Sequence, residues 1–398
     1  MIRDSPFVES SRVVPDSLAT APNPDVLRAR AGQRPKGAAR HAASGVLFGL
    51  AFGDAMGYPT EFLNMEQIGA TFGPWHKMEL PLSPGGVVRV TDDTQMMLAV
   101  AEALAEVTGG TGDTRGERGT RGERGARGAA REGASPLTPA AVEAALRRRF
   151  VSWLHDPDNN RAPGQTCLDA CAALERDIPW QAASIIRSKG CGANMRVAPV
   201  ALVPGLSAEQ RAGIAQLQAA LTHGHPTALA ASDLTAHAVW LLANACPLTS
   251  LVDELRAYAQ ESRRVYHVDW LGDLAQRAGA PDPETYIAFG WDECLRALDR
   301  VTEALREPDV DRDPSEAVGA GWVAEEALAT ALYCFLVVDG YARPALQRAA
   351  HSSGDSDSIA ALAGAFAGAR HGIKFWPPEW REVIEYRDRL SALGTAWD

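Results

Sequence analysis

The chain has 398 residues, of which 46% are hydrophobic, enough to bury the core of one large domain or two ordinary ones and to exclude a disordered protein. A formal net charge of −11 argues against a general nucleic-acid binder, because neutralising phosphates requires a positive surface. An anionic substrate must therefore be held by backbone amides, metal ions or a few local bases.

Residues 1–36 mix Pro, Arg, Ser and Asp without periodicity and lack the basic-then-apolar run of a secretory signal, so a disordered leader is expected. The apolar run GVLFGLAFGDAMG (45–57) is too short to span a bilayer and carries Asp54, which speaks against a membrane helix. Within it Gly45, Gly49, Gly53 and Gly57 recur every four residues, a strip without side chains along which a second helix can come close. Glu61 follows Pro59, either as a solvated loop carboxylate or as a reactive group. VTDDTQMM (90–97) then sets Thr91, Asp92 and Asp93 ahead of a predicted helix over 94–107, whose Met96, Val100, Leu104 and Val107 share one face. Residues 109–135 repeat RGERG twice and hold no large apolar side chain, which predicts a flexible surface insert, with Glu117, Glu123 and Glu132 diluting its positive charge.

Further helices are predicted over 140–154, 166–176, 208–221, 227–245, 323–338 and 357–371, separated by Pro and Gly. Period-two alternation is scarce, and the expected architecture is a single all-α domain over residues 37–390. SKGCGANMRVAP (188–199) places Gly190 and Gly192 around a loop whose amides can approach an anion, although the same GxG serves an ordinary helix-joining turn. LTHGHP (221–226) offers His223, a ligand-facing or simply hydrogen-bonded core histidine. Trp322 is either a cleft wall or a core aromatic. Six cysteines occur without a CxxC pair and read as reduced core thiols of a cytoplasmic protein; a zinc site built from them with His223 and His225 lacks the spacing.

HSSGDSDSIAALAGAFAGA (351–369) repeats the acidic theme, with Asp355, Asp357 and Ser358 ahead of a helix carrying a second small-residue strip at Ala360, Gly364 and Gly368. Either acidic cluster alone is explained by helix capping and the helix dipole. Together they form a matched set of hard oxygen donors suited to Mg²⁺ or Mn²⁺. If the two strips meet, Asp54, Glu61, Asp355 and Asp357 are carried to one place. Asp54 is left open between a partner to a metal ligand and a buried cap.

Six motifs, GDAMGYPTEF (53–62), TDDTQ (91–95), SKGCGANMRVAP, LTHGHP, GAGWVAEEALATALYCF (319–335) and GDSDSIAALAGA (354–365), occur in an order that resembles the ADP-ribosylglycohydrolase family over roughly residues 41–375. The resemblance implies a compact orthogonal helical bundle with a binuclear Mg²⁺ cleft that hydrolyses the bond between ADP-ribose and an acceptor. It implies metal ligands Thr91, Asp92, Asp93, Asp355, Asp357 and Ser358, with Asp357 bridging two ions and Mn²⁺ as the alternative metal; relatives often carry Thr where this chain has Ser358. Asp355, Glu61 and Asp92 become the candidate proton-handling carboxylates, Glu61 doubling as a movable gate. Gly190, Cys191, Gly192, Asn194 and Met195 match the diphosphate-binding loop and His223 a position near the substrate, with Trp322 a candidate to stack on the adenine or wall the cleft. The implied partner is an ADP-ribosylated protein or related ADP-ribosyl adduct, met by a cytoplasmic monomer. Two other readings stand beside it: a catalytically silent ADP-ribose-binding member of the fold, and a dimetal phosphohydrolase. The acceptor linkage, arginine, serine or another, is not legible in the rim loops.

Overall fold

The computed structural model describes residues 39–109 and 137–398; the leader expected over 1–36 and all but Gly109 of the expected insert lie outside the described residues. Among the described residues, regular structure is helical apart from isolated β-bridges. The longer helices are α1 (Ala42–Gly57), α2 (Asp92–Thr108), α3 (Pro139–Leu154), α4 (Gln165–Glu175), α5 (Ala208–Ala220), α6 (Pro226–Ala243), α7 (Leu251–Ser262), α8 (Pro283–Ala304), α9 (Ala324–Leu336), α10 (Ala342–Ala350), α11 (Ser356–His371) and α12 (Arg387–Trp397). The all-α architecture expected from the sequence is the one observed.

The two small-residue strips face each other. Every residue of α1 is buried, as is α11 from Ser356 to Ala369, which is what helices that are apolar all round require. They run antiparallel, Gly45 against Gly368, Gly49 against Gly364, Gly53 against Ala360 and Gly57 against Ser356. A Cβ added at Gly53 would lie 1.9 Å from the Ala360 carbonyl oxygen, and one at Gly364 1.9 Å from that of Gly49, so backbone touches backbone along the whole seam. Antiparallel pairing has a direct consequence: the C-terminal end of α1 meets the N-terminal start of α11. Hydroxyls of Thr60 and Ser356 bond the Gly57 carbonyl there, at 2.7 and 3.0 Å.

The chain's last segment buttresses this frame. Glu385 accepts from Val90 N at 3.1 Å and pairs with Arg161, holding the approach to α2. α12 runs to Trp397, and the Asp398 carboxylate accepts from Ala43 N at 2.9 Å at the start of α1. The expectation that the cysteines all lie in the core needs correction. Cys167, Cys171, Cys294 and Cys334 are buried, but Cys191 and Cys246 are partly exposed, Cys191 because its loop edges the acidic centre.

Candidate active site

Asp54 projects from α1 onto the start of α2 and acts as its cap from outside. Its carboxylate accepts from Thr91 N at 3.0 Å, Thr91 Oγ1 at 2.8 Å and Thr94 N at 3.1 Å, and from Thr94 Oγ1. Burial lifts its carboxyl to about 6 against the pull of those bonds. The buried-cap reading of Asp54 has its geometry here, and the bond to the Thr91 hydroxyl is also what a partner to a metal ligand would make. Thr91 is the N-cap residue of α2 and accepts from Asp93 N at 3.3 Å. With capping assigned to Asp54 and Thr91, the carboxylates of Asp92 and Asp93 are released for other work.

The start of α11 is shaped by Gly354, at φ +101°, where a Cβ would sit 2.2 Å from the Ala320 carbonyl oxygen. Asp355 occupies the N-cap position, yet its side chain makes no capping bond; Oδ2 instead takes the Cys191 thiol at 2.7 Å. Asp357 Oδ1 accepts from Ser358 N at 2.9 Å. One carboxylate oxygen each from Glu61, Asp355 and Asp357 lies within 4.8 Å of the others. Glu61 is thus part of the cluster and not a solvated loop residue. Asp92 Oδ2 accepts from Gly164 N at 3.3 Å, while Asp93 Oδ2 and Glu61 Oε2 are buried without a hydrogen-bond partner among the described residues.

The carboxylates of the two helix starts also repel one another, although only Glu61, Asp355 and Asp357 gather within 4.8 Å. Burial, followed by the charges of Asp355 and Asp92, raises Glu61 to about 8. Burial raises Asp92 to about 7, with repulsion from Asp54 and Asp355 adding to it. Asp93 and Asp357 are pushed well above the usual carboxylate range, by burial first and then, for Asp357, by Asp93 and Asp355. So much negative charge in a buried space is unfavourable unless it is protonated or compensated by a cation. An all-oxygen donor set, two buried oxygens without partners and mutual repulsion fit a hard divalent cation.

The glycine loop lies alongside. Cys191 N donates to Trp322 O at 3.2 Å and Ala324 N to Lys189 O at 2.9 Å, with Gly190 bridging Val323, so the loop is stitched to the start of α9. Asn194 is fully buried and its Nδ2 donates to Ala324 O at 3.0 Å, a clamp for that stitch. Met195 is buried with Sδ 3.9 Å from Ser358 Oγ. His223 is buried, with Nδ1 2.8 Å from Thr222 Oγ1 and its ring against Gly190 and Gly192; burial and the nearby Arg196 charge lower it to about 3, so the imidazole is neutral. Trp322 is 42% exposed and is not a core aromatic. It stacks on Phe62, centroids 5.4 Å apart at 22°, directly beside Glu61. Phe62, 66% exposed and at φ +66°, is the rim residue that sequence reasoning missed: a bulky side chain in the left-handed region has no local signal.

Fold and site define an all-helical protein with a buried, cation-ready carboxylate centre edged by a glycine loop. The family profile described as ADP-ribosylglycohydrolase matches residues 35–397, and the chain belongs to that family of hydrolases. It is 25% identical over 366 residues to the ADP-ribosyl-[dinitrogen reductase] glycohydrolase of Rhodospirillum rubrum, covering 88% of this chain and 96% of the relative. To the ADP-ribosylhydrolase ARH3 of Homo sapiens it is 30% identical over 276 residues, 63% of this chain and 71% of the relative. A solved chain titled ADP-ribosylglycohydrolase-related protein complex shares the fold, with a TM-score of 0.54 at 21% identity over 89% of this chain and 96% of that one.

Proposed function

We propose that the protein is a Mg²⁺-dependent hydrolase that cleaves the glycosidic bond between ADP-ribose and an acceptor, reversing ADP-ribosylation. The observation that carries this reading is the gathering of Glu61, Asp355 and Asp357 next to the Asp92–Asp93 helix start, with buried oxygens of Asp93 and Glu61 lacking partners. Thr91, Asp92, Asp93, Asp355, Asp357 and Ser358 would hold two Mg²⁺ ions, or Mn²⁺, with Glu61 adjoining. When bound, such ions orient vicinal hydroxyls and lower the pKa of bound water.

The chain's own residues have separate tasks in this reading. Amides of the Gly190–Met195 loop hold the diphosphate, and neutral His223 can donate a hydrogen bond without adding charge. Among the candidate proton carriers, Glu61 combines the raised carboxyl with the more open position and suits protonation of the leaving group; Asp355 and Asp92 would be engaged in holding the ions. Phe62, next in the chain to Glu61, stacks on Trp322, and this apolar pair would limit access of bulk water to the proton transfer. A protein acceptor, through arginine or serine, accords with the protein substrate in the name of the Rhodospirillum relative. The free cysteines among the described residues favour a reducing, cytoplasmic setting, and a monomer accords with the gathering of Glu61, Asp355 and Asp357 from one chain.

The test is release of free ADP-ribose from an ADP-ribosylated protein with Mg²⁺ and with EDTA. Metal-dependent release is expected. Tight ADP-ribose binding without turnover would favour the silent-member reading, and orthophosphate production the phosphohydrolase.

A further inference from the structure

Arg196 is fully buried, and among the described residues none of its hydrogen bonds goes to a carboxylate. Nε donates to Gln218 Oε1 at 2.8 Å, and Nη2 to Gln218 O at 2.7 Å and Thr222 Oγ1 at 2.8 Å. Nη1 faces the sulfurs of Met96 and Cys167, and the guanidinium lies 4.4 Å over the Phe150 ring. Sinking a lone guanidinium into a core is costly, and an apolar side chain would fill the space at less expense. Two of its partners lead to the glycine loop. Gln218 Nε2 donates to Ala193 O at 2.9 Å, in the middle of that loop, and Thr222 Oγ1 lies 2.8 Å from His223 Nδ1.

Donor counting sets the direction of this chain. Arginine has donors and no acceptor, so Thr222 Oγ1 must accept from Arg196. The hydroxyl proton then has two acceptors in reach, His223 Nδ1 at 2.8 Å and Ala219 O at 3.4 Å, and the shorter contact is the better bond. The guanidinium charge behind Thr222 also opposes a proton on Nδ1. We propose that Arg196 and Thr222 are positioning residues that lock His223 in the tautomer protonated on Nε2, making that ring edge a fixed, uncharged donor to a substrate oxygen held by the Gly190–Gly192 loop. The ring edge abuts the loop: a Cβ on Gly190 would lie 3.3 Å from Nε2, and one on Gly192 3.1 Å from Cε1. The opposite tautomer would turn a lone pair towards phosphate or hydroxyl oxygens, and a phosphate oxygen would be repelled. The substrate half of the proposal rests on the hydrolase reading; the tautomer itself does not.

The experiment is two-bond ¹H–¹⁵N correlation NMR on the full chain labelled with ¹⁵N-histidine, without substrate, the His223 signals being assigned by their loss in His223→Gln. Expected is a protonated Nε2 and an unprotonated Nδ1, kept in Thr222→Ser and lost to the other tautomer or a mixture in Thr222→Val. A proton on Nδ1 in the wild type, or an unchanged tautomer in Thr222→Val, overturns the relay; should Thr222→Val fail to fold, the wild-type spectrum decides alone. ADP-ribose binding measured by calorimetry tests the substrate half: His223→Gln, which keeps an amide donor, should stay within about threefold of wild type, while His223→Ala and Thr222→Val weaken binding about tenfold. Equal affinities in all variants overturn that half. Wild-type protein that binds no ADP-ribose overturns it together with the hydrolase reading, while the NMR result still stands or falls separately.

Discussion

Thr91 at the start of α2 caps its helix by accepting from Asp93 N, whereas Asp355 holds the equivalent place at the start of α11 and caps nothing. The two segments share a composition of hydroxyls and carboxylates, and either would pass for an ordinary helix start. They free their carboxylates by different means. At α2 the orphan amides are taken by Thr91 and by Asp54, reaching over from α1. At α11 the chain is held by Gly354, by the Ser356 hydroxyl on Gly57 O and by the Gly seam, so Asp355 can turn away from its own backbone, while Asp357 keeps one oxygen on Ser358 N. An acidic helix start is therefore read by asking which other group does the capping.

Breaking the seam should have the largest effect, since the seam fixes α11 against the helix whose Asp54 holds the start of α2. Gly53→Leu, whose Cβ would fall 1.9 Å from the Ala360 carbonyl oxygen, should cost at least about 3 kcal/mol in urea denaturation and abolish Mg²⁺ binding. A loss below about 1 kcal/mol would mean that α1 and α11 can part without penalty. Asp357→Asn acts on the α11 side only. It should reduce ADP-ribose release at least about a hundredfold and weaken Mg²⁺ binding, while the metal-free protein becomes more heat-stable because one of the mutually repelling carboxylates is gone. An active variant, or a metal-free form less stable than wild type, would contradict the role given to Asp357. Asp54→Ala acts on the α2 side, removing a cap and leaving two buried amides without acceptors; a loss of about 1–3 kcal/mol is expected, with metal affinity reduced because Asp92 and Asp93 lose their footing.

Much of this was legible in the sequence, and what was not has identifiable causes. The glycine period of four pointed directly to a helix pair in backbone contact, and α2, α9 and α11 begin within two residues of their predicted starts. α8 escaped notice because its face is broken by Gly290, which reads as a helix breaker; in the fold that glycine marks a close crossing, where a Cβ would meet the Pro226 carbonyl oxygen at 2.2 Å. Asp54 could not be resolved because its partners lie 37 and 40 residues further on, in another helix. Phe62 and the Arg196–Thr222–His223 chain depend on tertiary neighbours alone.

The smallest expected effect is a drift with pH, and it sharpens the comparison because it sums over both starts. In the metal-free fold Asp54, Asp92 and Glu61 hold protons to about 6, 7 and 8, whereas the unfolded chain releases them near the ordinary values of 3.8 and 4.5. Between those limits the folded state binds more protons than the unfolded one, so stability is highest at the acid end and declines as pH rises. The Tm of EDTA-treated protein should therefore fall from about pH 5 to about pH 8. Mg²⁺, which takes over the compensation that protons supplied, should raise Tm more at the alkaline end than at the acid end. Asp54, which caps α2, can be separated from the rest: Asp54→Asn should remove its share of the decline and lose less of the Mg²⁺ response at pH 8 than Asp54→Ala, because one acceptor oxygen remains for the cap. A Tm that climbs with pH in EDTA would mean that the carboxylates are already ionised in the fold, and the case for a cation between the two helix starts would lose its electrostatic basis.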